Sequence, residues 1–225
     1  MSNTNRVNSF NDFKNAMPHQ INEYFSNKKL EELSIHELVY TYLNVNWNVT
    51  KLKNRKVSTS LHDLVENIRA SYNNNRTRTY TPLLGCFMIL DQLGSIVNDP
   101  NKSLKNGIKQ ILDLHTYDEK TIQYLLALRN GLIHDGSLTS RAQYAGQYHT
   151  ILRLEPTLAT TIEFPSTDWN GVFENELSIY CSKINSKRFF DEVLIIIDLV
   201  KEALLDNLLN LKISDEKEFF YKFLF

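Results

Sequence analysis

The residue types that could do chemistry stand close together in one stretch, Leu128-Arg129-Asn130-Gly131-Leu132-Ile133-His134-Asp135-Gly136. Histidine titrates near neutrality, so His134 can accept or release a proton. Arginine stays cationic and offers a planar fork of donors, so Arg129 can hold an anionic oxygen. Asn130 stands four residues before His134 and can reach it on an α-helix. Arg129 and His134 are five residues apart, which puts them roughly 140° from one another at ~100° per residue. They do not share a strict helical face. The length of the arginine side chain, a distorted last turn before Gly136, or a second subunit would have to close that gap.

No other constellation competes. The chain has no HExxH, no CxxC pair and no aspartate-rich loop, so neither a metal nor a cofactor is expected. Its glycines are too scattered for a P-loop or a dinucleotide fingerprint, and it has no GxSxG elbow. His19, His36, His62, His115 and His149 lack partner spacing and are expected as surface or ordinary packed side chains. A plainer account of the stretch also stands. Arg129 and His134 would each favour a helix C-terminus by ~0.3–1 kcal/mol. Asn130 would then be a local cap, and Asp135-Gly136 a routine stop.

The elements that must position these residues are mostly helical. With 7 Gly and 5 Pro in 225 residues, the chain is poor in the turns that barrels and sandwiches need. Apolar residues recur at helical spacing from Pro18 to Lys28. Ser34-Ile35-His36-Glu37 has the form of a capping box. Leu43, Val45, Trp47 and Val49 alternate with polar residues, which predicts an extra strand within 39–51. Ser60 can cap a helix through Tyr72. The run from Thr81-Pro82 to Val97 is apolar on most of its circumference and should be a central helix. A shorter helix bears Leu104, Ile108, Ile111 and Leu112, and Asp118 caps the helix that has Ile122, Leu125, Leu126, Leu132 and Ile133 on its apolar side and stops at Asp135-Gly136. Beyond Gly136 the period changes, and 144–164 reads as a β-hairpin joined around Pro156. Phe173 to Leu211 reads as helix again, and an aromatic tail, 215–225, closes the chain.

Composition bounds the partners. Between Lys51 and Lys109 ten basic residues face four acids, a surplus of six, so the rest carries −7 to reach the total of −1. A modest basic face is one outcome and a merely uneven solvated surface the other. Cys86 and Cys181 lie in apolar patterns and suit buried thiols in a reducing cytosol. The polar start has no signal-peptide core, and the apolar run Leu83–Leu90 is too short to span a bilayer. A cytoplasmic chain with no membrane partner is expected.

Arg129-Asn130-x-x-x-His134 resembles the R-[N/D/H]-x(3)-H signature of HEPN domains, which are all-α bundles. The helices around 60–140 and 174–210 fit that layout. On this resemblance the chain is a single mainly α domain, with 1–59 as an N-terminal addition and 141–171 as a β-hairpin insertion. The resemblance implies metal-independent RNA cleavage in a cleft where two motifs meet across a homodimer. It further implies that His134 exchanges a proton with a ribose 2′-hydroxyl or a leaving 5′-oxygen, and that Arg129 stabilises phosphate charge. Asn130 would orient the imidazole. Phage defence, or growth control beside a cognate antitoxin or other protein partner, would be the setting. HEPN toxins that are controlled by AMP transfer often carry a tyrosine two places after the histidine. Here that place is Gly136, which puts such control in doubt. The alternative function is a non-catalytic all-α module that binds a nucleotide or a protein through the hairpin and the aromatic tail.

Overall fold

The computed structural model describes residues 7–101, 107–144, 146–173 and 176–225. Helices dominate. Helix α1 (Pro18–Ser26) begins on a proline, which suits a first turn whose N–H groups have no partner anyway. Helix α2 (Ile35–Leu43) carries the expected capping box: Ser34 Oγ accepts from Glu37 N, and the Glu37 carboxylate accepts from Ser34 N at 2.7 Å.

That helix overturns the strand expected within 39–51. Every residue from Glu37 to Leu43 is buried, because α2 lies among neighbouring helices and hides its whole circumference. Asn44, a poor helix former, falls at the C-cap instead of inside an element. Only Thr50–Lys51 is extended (β1), and it pairs with Lys56–Val57 (β2) in a small antiparallel hairpin.

Helix α3 (Ser60–Tyr72) is capped by Thr59, whose hydroxyl accepts from His62 N at 3.1 Å; Ser60 is the first helical residue and not the cap. Helix α4 (Tyr80–Ile96) is central as expected and packs on α3, on α5 (Gly107–Leu112) and on α7 (Ser186–Leu205). Leu104, assigned to that short helix from the sequence, lies outside the described residues. At the α4–α5 crossing Gly94 and Gly107 meet backbone to backbone, and a Cβ on Gly94 would stand 2.8 Å from Gly107 O. Val97–Asn98 (β3) follows directly. Helix α6 (Glu119–Asn130) has the Asp118 cap, with the carboxylate accepting from Thr121 N at 2.7 Å.

The segment beyond α6 differs most from expectation. Thr139–Ser140 (β4), Thr150–Leu154 (β5), Ile162–Glu163 (β6) and Cys181–Ile184 (β7) form one sheet in the order β4-β5-β7-β6. The stretch 144–164 is therefore no hairpin, since β7 lies between β5 and β6. Strand β5 runs parallel to β7, pairing Ile151 with Cys181 and Leu154 with Ile184. The connection is held open by Asn185, whose side-chain N–H groups reach Pro156 O at 3.0 Å and Leu158 O at 2.9 Å. The same Asn185 caps α7 (Ser186–Leu205), accepting from Lys187 N and Arg188 N. The helix expected over 173–211 thus starts thirteen residues late, because its first part supplies a strand. With this sheet present the chain is mainly α and not all-α.

Asn210–Leu211 (β8) pairs with β3, and helix α8 (Glu216–Phe223) closes the fold. One apolar core takes in residues from Val7 to Leu224. The described part of 1–59 shares it: Phe13 packs edge-on against Tyr24, Phe25 and Tyr40. So does the tail, where Phe219 and Phe223 meet the buried Tyr42 ring at 5.8 and 5.3 Å. Tyr221 and Phe225 stay exposed. No described helix is long and apolar enough to cross a membrane.

Candidate active site

The site grows out of the last turn of α6. Ile122, Leu125 and Leu128 are buried, which fixes the helix rotation and leaves Arg129 and Asn130 half-buried at the rim. Gly131 then brings two strands of chain together. Ser137 N donates to Gly131 O at 2.9 Å, and a Cβ at position 131 would lie 2.7 Å from Ser137 O. Only a glycine leaves room for that return. Gly136 closes the turn in the left-handed region, at φ 61°.

Between these two glycines the helix widens into a π-turn over Gly131–Asp135. In a π-turn hydrogen bonds run from i to i+5, so residues five apart come nearer to one face than on an α-helix. The mismatch of an ideal helix is thereby narrowed, the long arginine side chain spans the rest, and Arg129 Nη1 stands 3.2 Å from His134 Nε2. A distorted last turn closes the gap within one chain. Arginine donates only, so Nε2 is the acceptor in this contact. His134 is exposed.

Asn130 does not orient the histidine. Its Oδ1 accepts from Arg129 Nη1 at 3.2 Å, and it makes no hydrogen bond to the His134 ring. It steadies the guanidinium instead. A second partner of Arg129 was not legible: Asp91, on α4. Its Oδ2 accepts from Nε at 3.2 Å and from Nη2 at 3.0 Å. The only hint was an acid ending the apolar run Leu83–Leu90, where a half-buried carboxylate needs a partner. Arg129 thus makes four hydrogen bonds from five N–H donors. The guanidinium is held in one orientation, tied to its own carboxylate, with His134 poised beside it.

Strands β4 and β5 pack on α6. Strand β4 lines a groove of about 690 Å³ together with His134, Asn130 and Asp135. Tyr144, Tyr148, Phe173 and Arg141 line it too. The other histidines are occupied or remote. His62 Nδ1 contacts Val45 O at 2.8 Å, His149 accepts from Ala142 N at 3.1 Å, and His115 packs at a tilt against Tyr117, ring centres 4.3 Å apart. Among the described residues no group of three or more His, Cys, Asp or Glu side chains is arranged to hold a metal ion. Cys86 is buried, which pushes its thiol well above the usual range and leaves it inert.

Compared with protein-family models, with curated proteins and with solved structures, the chain matches none of them.

Proposed function

We propose that this chain is a HEPN-like, metal-independent endoribonuclease that works as a homodimer. The observation that carries the reading is the 3.2 Å contact between Arg129 Nη1 and His134 Nε2, at the open end of a core helix. The mainly helical fold around α4 supports it too. Once Arg129 turns from His134 to the phosphate, the freed Nε2 takes the proton of a ribose 2′-hydroxyl, and the 2′-oxygen attacks the adjacent phosphorus. The bond from phosphorus to the 5′-oxygen breaks, and that oxygen takes a proton from the His134 imidazolium of a second copy. The products are a 2′,3′-cyclic phosphate and a 5′-hydroxyl. Arg129 holds the charge that builds on the phosphoryl oxygens. Each chain brings one such histidine, so a base and an acid together call for two copies. Uncontrolled, this activity would arrest growth, as in phage defence or beside a cognate antitoxin.

Asp91 favours a second reading. A carboxylate engaging both Nε and Nη2 of Arg129 is what a structural ion pair between two helices looks like, in a module that binds a nucleotide or a protein without cleaving anything. One experiment separates them. Purified protein is incubated with total RNA in EDTA beside His134→Ala and Arg129→Ala, and the product ends are analysed. The ribonuclease reading expects cyclic phosphate from the wild type alone, with cleavage by His134→Ala lower by about 10²–10⁴-fold. Equal degradation by all three, or none by the wild type, leaves the binding module.

A further inference from the structure

The groove beside His134 has the chemistry of a reader of unpaired bases. Three aromatic side chains line it, of which Tyr144 is 73% exposed and Phe173 57% exposed. Large aromatic faces left to solvent at the edge of a site are unusual unless something stacks on them. Arg141 lies over Phe173, its guanidinium carbon 5.3 Å from the ring centre, so a cation and a π-face are offered together. Tyr148 is propped from behind by Tyr124, with ring centres 4.8 Å apart.

The walls are built, not incidental. Phe173 rests on the buried Trp169 at 5.0 Å, and the Trp169 ring N–H donates to Val172 O at 2.8 Å. Gly171, at φ 84°, lets the chain pass against the His149 ring, where a Cβ would lie 2.9 Å from Nδ1. His149 Nδ1 in turn accepts from Ala142 N, next to Arg141. The two loops that carry the aromatic wall are therefore locked to each other. A volume of about 690 Å³ lies within the range of small-ligand sites, ~300–1,000 Å³.

We propose that this groove binds single-stranded RNA, with bases stacked on Phe173 and Tyr144, a backbone phosphate on Arg141, and the strand led past His134. The proposal rests on the ribonuclease reading for its choice of RNA, and it names the substrate class. A-form duplex keeps its bases stacked inside, so rings at a groove wall select unpaired strands.

The test measures fluorescence anisotropy of a labelled single-stranded RNA hexamer with His134→Ala, which holds the strand without cutting it. Binding is expected, with a matching RNA duplex failing to compete. Phe173→Ala in that background should weaken binding about tenfold or more, the scale of one lost base stack. Phe173→Tyr should restore it, and Arg141→Ala should weaken binding and flatten its salt dependence. Circular dichroism melting confirms that each variant folds. Unchanged affinity in Phe173→Ala and Arg141→Ala overturns the groove even where the wild type cleaves RNA. Phe173-dependent hexamer binding by a protein that cleaves nothing overturns the ribonuclease reading and leaves the groove standing. Phe173-dependent capture of an unstructured peptide, with no hexamer binding, overturns the proposal in favour of a peptide site.

Discussion

Arg129 is shared between a carboxylate, an amide and an imidazole, and each partner predicts a different loss. Arg129→Lys keeps the charge but not the fork, so it cannot span Asp91 and His134 together. It should lower RNA cleavage by about 10²-fold, in kcat more than in KM, as expected for a group that acts on transition-state charge. Asp91→Asn should also lower kcat while leaving RNA affinity nearly intact, because Asp91 positions the guanidinium and touches no substrate. Its ion pair is part-exposed, so the stability lost should stay within about 1 kcal/mol by urea melting. Gly131→Ala would drive a methyl against Ser137 O and disrupt the π-turn. A cost of about 1–3 kcal/mol is expected, with cleavage lost along with the Arg129–His134 contact. Wild-type activity in that variant would mean the widened turn is dispensable.

At the scale of elements, the Asp118 cap gives a prediction with a pH sign. Its hydrogen bonds with Thr121, backbone first, hold the Asp118 carboxyl below the usual aspartate range. A lowered folded pKa stabilises above the unfolded value, about 3.9, and that contribution fades as pH falls through the folded value. Asp118→Ala should cost about 1 kcal/mol at pH 7. The gap between variant and wild type should narrow below about pH 4. Elements such as α3, α4 and α6 were legible because their apolar residues at helical spacing agree with their burial, although only α6 has the cap expected of it. The strand expected within 39–51 misled because 39–43 belongs to a helix buried all round, which needs no amphipathic period, while the alternation at 44–49 falls in the turn that follows it. Strand β7 was illegible for a different reason. Its parallel partner β5 lies thirty residues upstream, and no local pattern encodes a pairing at that distance. For the site, the pair of residues was readable, and a distorted turn was one of three ways the sequence left open to bring them together. Asp91 was not readable, since thirty-eight residues separate it from Arg129.

On the scale of the whole molecule, the tail is part of the core and not a free arm. Phe219 is fully buried beside Tyr42, so Phe219→Ala should cost about 3–5 kcal/mol in chemical denaturation. The dimer proposal predicts that specific RNA-cleaving activity falls on dilution, in step with a mass change followed by light scattering. Activity per chain that is constant across that range would point to a complete site in one copy. The bridge from Asp91 to Arg129 has a further consequence. It ties the Arg129 end of α6 to α4, which packs on α3, α5 and α7. A phosphate that draws Arg129 toward itself must loosen that tie, so occupancy at the rim is transmitted to the middle of the protein. Amide hydrogen exchange along α4 would then report whether the groove is filled, and the central helix becomes a gauge for events at a surface it does not reach.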